Sequence, residues 1–284
     1  MNNRSYALDA LRGYAILTMV LSATVVFGIL PGWMYHAQTP PPSNVFNPDV
    51  PGLTWVDLVF PFFLFAMGAA FPFSIKKKIE KGESKLKSIY EGFKRYFQLT
   101  FFAIFIFHLS PWALSNPQDI RAWLLALLAF ALLFPMFMRI PLEMPKWAHS
   151  AIKISAFILA FILMYSINYA GDKVFDPHFA DIIILIMGHM AGFGTLIYVF
   201  TINNRMVRIA VLPFIMGALL GASTEDSINQ MIVNFTPATW LFKFEYLKYL
   251  FIIIPGSIAG EYLLEAIRSK EDTVPTVKKE EKQI

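Results

Sequence analysis

The sequence contains no cysteine among its 284 residues. This absence excludes disulfide bonds, thiol nucleophiles and thiolate metal ligands, and it leaves the redox compartment undetermined. Charge is also scarce, since Asp, Glu, Lys and Arg make up 15% of the chain, against about 25% in ordinary soluble domains. Apolar residues take their place: 56% of the chain is hydrophobic, 28 residues are phenylalanine and the mean hydropathy is +0.53. The composition therefore predicts an integral membrane protein.

Long apolar runs predict an all-α fold, a polytopic transmembrane helix bundle with about eight spans. Each run is close to the roughly 20 residues that a helix needs to cross a bilayer. The predicted spans are 14–30, 53–75, 96–112, 120–138, 148–167, 182–200, 207–222 and 246–264. The first and seventh are short, so either could be tilted or re-entrant.

Basic residues are distributed unevenly among the segments that connect these spans. If both ends of the chain lie on one side, the connections on that side carry 20 Lys and Arg residues and those on the other side carry four. Because cytoplasmic loops are enriched in Lys and Arg, we predict that both termini are cytoplasmic. The same distribution accounts for the net charge of +4, so no nucleic-acid partner is expected.

No polar stretch is long enough to form a separate soluble domain. Residues 1–268 are therefore predicted to form a single transmembrane helical domain. Residues 269–284 are rich in charge and lack aromatic side chains, which predicts a disordered cytoplasmic tail. The expected location is a cell membrane, and for a bacterial chain it is the cytoplasmic membrane.

A histidine and an aspartate lie near the outer interface. His36 is in the loop after the first span, and its imidazole could serve there as a general base or as a nucleophile. The alternative is an interfacial histidine in an aromatic belt. Asp57 opens the second span, where an unpaired acid is costly and a functional role is the default hypothesis. The alternative for Asp57 is a helix N-terminal carboxylate with Thr54 as the cap.

Three residues at the start of the first span form a second candidate site. Asp9 and Arg12 are three positions apart and would share one face of a helix at the cytoplasmic mouth. Gly13 would allow close approach of a phosphate or of another helix. The basic loop 76–95 could also meet the phosphates of a donor, although the positive-inside rule predicts the same residues. A structural salt bridge is the competing interpretation for Asp9 and Arg12.

Other features of the spans predict packing. Glycines four residues apart, at 28/32, 188/192, 217/221 and 256/260, let membrane helices approach closely. His108 and His189 lie within spans, and for both we expect a packing hydrogen bond. The sequence has no metal-ligand spacing such as His-x-x-x-His, so no metal site is predicted.

The first 75 residues resemble a known family. Asp9-Ala10-Leu11-Arg12-Gly13, the loop histidine His36 and the segment 52–68 are similar to the transmembrane acyltransferases related to heparan-α-glucosaminide N-acetyltransferase, and more narrowly to their bacterial relatives. The resemblance implies transfer of an acetyl group from cytoplasmic acetyl-CoA to an amino sugar across the membrane. It also implies that His36 carries out the transfer.

The first hypothesis is therefore an integral membrane acyltransferase that acts on a sugar or envelope glycan. His36 would be the acyl carrier or base, Asp57 its supporting acid, and Asp9, Arg12 and Gly13 would lie at the donor's entrance. The alternative is a non-catalytic membrane subunit or small transporter. One reason is that the chain has fewer spans than its relatives usually have, which predicts a homo-oligomer or a partner subunit. The other is that segment 21–26 lacks the asparagine found in the family.

Overall fold

The computed structural model describes residues 6–138, 144–171, 173–236 and 238–273. Every regular element in these ranges is helical, which confirms the all-α class. The helices are α1 Tyr6–Thr24, α2 Trp55–Ala69, α3 Lys77–Glu80, α4 Lys85–His108, α5 Pro111–Leu114, α6 Ile120–Phe137, α7 Lys146–Ser166, α8 Ile182–His189, α9 Thr195–Phe200, α10 Arg205–Gly221, α11 Ile228–Asn234 and α12 Leu250–Thr273. Short 3₁₀ segments cover Gly32–Met34 and Phe244–Tyr249, and π-helical segments cover Pro72–Lys76 and Met190–Gly194. The predicted tail falls outside the described residues from 274 onward.

The described part of the chain has five helical stretches long and apolar enough to cross a membrane. They are Trp55–Glu80, Ile120–Phe137, Trp147–Ser166, Ile182–Phe200 and Phe244–Ser269. Each overlaps one of the eight predicted spans. The third predicted span, 96–112, covers the second half of α4 and reaches α5, and the seventh, 207–222, covers most of α10. Five charged residues lie among the first eleven of α4, and α10 has only 17 residues. The total of eight spans stays a prediction.

The first predicted span has the wrong limits. Helix α1 begins at Tyr6 and ends at Thr24, whereas the apolar run predicted a span over 14–30. The β-branched residues Val25 and Val26 are poor helix formers, and Gly28 has φ +86°, which glycine adopts without strain. The chain therefore leaves the helix before the apolar run ends.

Two compact units divide the chain. The first unit comprises Met1–Arg95, His189–Phe235 and Phe244–Ile284. Its centre is α2, which packs along both α1 and α12. A Cβ atom added at Gly68, Gly256 or Gly260 would overlap a backbone carbonyl of the facing helix. Only glycine permits this approach of α2 to α12, as the 256/260 spacing predicted.

The second unit comprises Tyr96–Gly188 and Thr236–Lys243. Its core lies where α6 packs against α7 and the second half of α4. Phe105, Met136 and Met164 are almost fully buried there, and Ala160 is small enough for the helices to come together. The outward faces of α6 and α7 are apolar and exposed, as expected for helices that contact lipid.

Candidate functional site

The loop that carries His36 is fastened to the end of α1 by Tyr35. The Tyr35 side chain is buried, and its hydroxyl donates to the carbonyl of Val26 at 2.9 Å. The same oxygen accepts the backbone N–H of Leu30 at 2.8 Å and of Ile29 at 3.2 Å. Because three backbone groups converge on one hydroxyl, the neighbouring His36 is held against residues 26–30, the segment that follows α1.

Asp57 is fixed by the first turn of α2. It forms a capping box with Thr54, in which Oδ2 of Asp57 accepts the Thr54 backbone N–H at 2.7 Å. The same oxygen accepts the backbone N–H of Ala37 at 3.3 Å, and the Thr54 hydroxyl lies 2.7 Å from the carbonyl of Tyr35. These bonds tie the His36 loop to the start of α2.

The structure brings His36 and Asp57 together. Nε2 of His36 lies 2.9 Å from Oδ1 of Asp57. The backbone N–H of Gln38 donates to Nδ1 of His36 at 3.3 Å, which places the lone pair on Nδ1 and the proton of the neutral imidazole on Nε2. The Asp57 side chain is 9% exposed and that of His36 is 43% exposed, so a buried acid supports an accessible base.

Two buried polar atoms beside this pair lack partners among the residues described. Oδ1 of Asp57 has no aligned hydrogen bond, so its 2.9 Å contact with His36 is electrostatic. The indole N–H of Trp55 is also without an acceptor. Buried polar groups normally find partners, and each one left unpaired costs about 1–3 kcal/mol.

The two interpretations of Asp57, a carboxylate at a helix N-terminus and a functional acid, are compatible. It serves as an N-terminal helix carboxylate and contacts the histidine at the same time. At His36, the neighbouring aromatic side chains differ: Trp33 is exposed, whereas Tyr35 is buried and holds the loop. Phe46 approaches the imidazole edge-on, with 5.9 Å between ring centroids, and covers part of it.

Asp9, Arg12 and Gly13 are not brought to His36. They lie in the first half of α1, and the helix runs about 18 Å further from Arg12 to Thr24 at 1.5 Å per residue. Asp9 Oδ1 and Arg12 Nη1 are 3.8 Å apart, so the pair predicted on one helix face does form. A Cβ atom at Gly13 would meet nothing within 4 Å. Their role toward a donor stays a prediction.

The sequence analysis missed a buried ion pair in the first unit. Arg208 on α10 and Glu261 on α12 are 1% and 2% exposed, and Nη2 of Arg208 lies 2.8 Å from Oε1 of Glu261. Arg208 also donates to Thr201 and Ser257, and its guanidinium stacks over the ring of Tyr198. The signal was an acid inside an apolar run, since Glu261 falls within the predicted span 246–264.

A second arginine extends this pair toward solvent. Arg205 donates from Nε to Oε2 of Glu261 at 2.7 Å and also pairs with Glu265. Together with Lys76, these side chains line an open cavity of about 620 Å³. Its charges are largely compensated within the cluster, so the arrangement joins α10 to α12 more than it attracts one sign of ligand.

His108 and His189 were each expected to make a packing hydrogen bond, and the structure shows one for His108. His108 is 3% exposed, and its Nδ1 lies 2.8 Å from the carbonyl of Ile104 one turn earlier. His189 is fully buried against the rings of Phe193 and Tyr246. No group of three His, Asp or Glu side chains in the described ranges could hold a metal ion.

Comparison with known proteins places the chain in a family without assigning an activity. No curated protein and no solved structure matches it. One family model, the domain of unknown function DUF5009, matches residues 4–263. Since that is most of the sequence, the chain belongs to the DUF5009 family.

Proposed function

We propose that the protein is an integral membrane acyltransferase that moves an acetyl group from cytoplasmic acetyl-CoA to a sugar or envelope glycan on the outer face. The observation that carries the proposal is the 2.9 Å contact between His36 and the buried Asp57, the two residues that the sequence predicts for the site. The proposal includes eight spans, cytoplasmic termini and, in a bacterium, the cytoplasmic membrane.

The geometry supports two routes for the transfer. In the first, Nδ1 of His36 releases its long bond to Gln38 and attacks the thioester carbon, the C–S bond breaks, and CoA leaves as the thiolate. Asp57 stabilises the positive imidazole. The acceptor then attacks the acetyl carbon, the C–N bond to His36 breaks, and the acceptor's proton passes to the CoA thiolate or to water. In the second route, Nδ1 takes the proton of the acceptor as that acceptor attacks the thioester directly, the C–S bond breaks, and the imidazolium returns the proton to the CoA thiolate. In both routes Asp57 holds the Nε2 proton.

Acetyl-CoA would approach from the end of the bundle where Asp9, Arg12 and Gly13 lie. The basic segment 76–95 offers further cations, but some are already paired. Lys78 lies 2.5 Å from Glu91, and Lys87 lies 3.0 Å from Glu83. The glutamate lowers the phosphate affinity of each paired lysine, and Asp9 does the same for Arg12, so the remaining basic residues of the segment would provide most of the attraction.

The test is incubation of the purified full-length chain with acetyl-CoA labelled in its acetyl group, in the presence and absence of glucosamine. His36→Ala is compared with His149→Ala, which removes a histidine on α7 in the second unit. We expect the His36 variant to lose transfer by about 100-fold or more, since a base or nucleophile contributes about 10²–10⁴-fold. Equal transfer by the wild type and a folded His36→Ala protein contradicts the proposal.

A second candidate function is a small transporter or a non-catalytic membrane subunit that needs a partner chain. The observation that favours it is the buried pair Arg208–Glu261, because ionisable residues inside membrane helices often mark ion pathways. Proteoliposomes that show proton flux in the wild type and in Glu265→Gln, but not in Glu261→Gln protein shown to be folded, would support transport. Absence of flux in the wild type would contradict proton transport by this chain alone.

A further inference from the structure

The second unit contains a cavity that the proposed function does not use. Its volume is about 560 Å³, within the range of small-molecule sites, and the end of α4, helix α5 and the α7–α8 connection form its walls. Four of its ten lining residues are Phe, Trp or Tyr, His108 adds an imidazole, and Lys173 and Asp176 are charged. The aromatic rings are those of Phe107, Trp112, Tyr169 and Phe179.

The aromatic wall is partly rigid and partly open to solvent. Phe107 and Phe179 are stacked with 6.1 Å between ring centroids, and the Tyr169 hydroxyl donates to the carbonyl of Met164 at 2.6 Å. Trp112 is 66% exposed at the mouth, so a ligand can enter. Aromatic faces carry negative charge density and attract ammonium groups, above all quaternary ones.

The first charged residue is Asp176, which is held in place by His178. Oδ1 of Asp176 accepts the His178 backbone N–H at 3.0 Å and lies 2.6 Å from Nδ1 of the ring. These bonds hold the pKa of the Asp176 carboxyl below its usual value, so it is ionised at neutral pH. Nε2 of His178 lies 2.8 Å from the Thr239 hydroxyl, which fastens this wall to residues 238–243.

The second charged residue is Lys173, whose side chain is exposed and forms no ion pair with any residue that the structure describes. The cavity therefore presents a carboxylate, an ammonium group and several aromatic faces. A purely anionic ligand would be repelled by Asp176, and a purely cationic one by Lys173. A ligand that carries both charges on a small group would satisfy both residues.

We infer that this cavity binds a zwitterionic ammonium phosphate, the chemistry of phosphocholine and phosphoethanolamine. The ammonium group would lie among the aromatic rings beside Asp176, and the phosphate would pair with Lys173. The inference rests on the second unit alone and is independent of any chemistry at His36.

The probe is phosphocholine, titrated into the full-length chain in dodecyl maltoside and followed by calorimetry, with choline and inorganic phosphate titrated separately. We expect phosphocholine to bind more tightly than either half. Lys173→Gln and Asp176→Asn should each weaken phosphocholine by about tenfold, as expected for the loss of one charged contact. Lys173→Gln should leave choline binding intact or strengthen it. Asp176→Asn should leave phosphate binding intact or strengthen it.

Matched controls separate binding from folding. Lys153→Gln and Glu225→Gln remove exposed charges elsewhere and should bind phosphocholine as the wild type does. Trp112→Leu should weaken phosphocholine binding and leave the melting temperature unchanged. If lysophosphatidylcholine binds more tightly than phosphocholine, the natural ligand is a lipid headgroup. If the two bind with equal affinity, the natural ligand is a soluble compound. Absence of phosphocholine binding, or binding that neither charge variant changes, overturns the inference.

Discussion

The two oxygens of the Asp57 carboxylate face different partners. Oδ2 accepts backbone N–H groups from Thr54 and Ala37, while Oδ1 faces Nε2 of His36. The first set of bonds stabilises the start of α2 and the loop, and the second contact orients the imidazole. Because the two roles use different atoms, substitutions at this residue can separate them.

Asp57→Asn keeps an oxygen for the Thr54 N–H but removes the charge and presents an amide to His36. We expect stability to fall by about 0.3–1 kcal/mol, the usual contribution of a carboxylate at a helix N-terminus. Acetyl transfer should fall by about tenfold or more, because the amide no longer stabilises a positive imidazole. Thermal unfolding and label transfer, measured on the same preparation, check both values.

Asp57→Ala is the companion variant, since it also removes the acceptor and should cost about 1 kcal/mol more. If Asp57→Asn transfers acetyl at the wild-type rate, Asp57 is only a helix cap. The hypothesis of a supporting acid would then be lost, whatever the effect on stability.

Asp176 gives a pH dependence whose sign follows from its lowered pKa. The usual pKa is 3.8, and the bonds from His178 lower it in the folded protein. A carboxyl with a depressed folded pKa stabilises the fold above the usual value, and this contribution is lost as the pH falls through the folded pKa. Between pH 5 and pH 3 the wild type should therefore lose more stability than Asp176→Asn. Melting temperatures of the two proteins across that range measure the difference, and parallel curves would contradict it.

At the scale of helices, the contact of α2 with α12 depends on glycine. Gly256 and Gly260 face the carbonyls of Phe65 and Ala69 on α2. Hydrocarbon tails are as apolar as the helix surfaces, so close packing replaces the hydrophobic effect as the source of association. A single methyl group at this interface would separate the helices.

Gly260→Ala should lower stability by about 1–3 kcal/mol, the usual cost of overpacking a core. Gly217→Ala on α10 is the control, since its Cβ would meet nothing within 4 Å. That change should be neutral or stabilise by up to about 1 kcal/mol, because alanine is the better helix former. Unfolding in mixed micelles measures both, and equal effects would show that α2 and α12 do not pack through these glycines.

Sequence periodicity and length located the most uniform apolar helices well. The spans predicted at 120–138 and 182–200 match the stretches Ile120–Phe137 and Ile182–Phe200. The predicted limits of the first span were wrong, because the apolar run continues past Thr24, the last residue of α1. The contact of His36 with Asp57 could not be predicted, because the path of a proline-rich loop depends on tertiary bonds such as those of Tyr35.

At the scale of the whole molecule, exposed charged side chains contrast with the buried pair of Arg208 and Glu261. Arg208 and Glu261 are 53 positions apart, so no local pattern pairs them. Removing one partner of a buried pair leaves an uncompensated charge, which costs about 3–5 kcal/mol. Glu261→Gln and Arg208→Met should each destabilise by that order, and the double variant should lose less than the sum. A double-mutant cycle of unfolding free energies measures the coupling, and additive losses would show that the pair is not coupled.

The side of the membrane on which His36 lies decides whether a donor must be admitted through the bundle. Because the chain has no cysteine, the side of the membrane can be tested by thiol labelling, in which a single introduced cysteine is the only residue that reacts. Ser43 and Ser84 are both exposed, the first in the His36 loop and the second before α4. With cytoplasmic termini, a membrane-impermeant maleimide should label Ser43→Cys in intact cells and Ser84→Cys only after permeabilisation. If both are labelled on one side, residues 55–80 do not cross the bilayer. Transfer across the membrane would then give way to transfer on a single face.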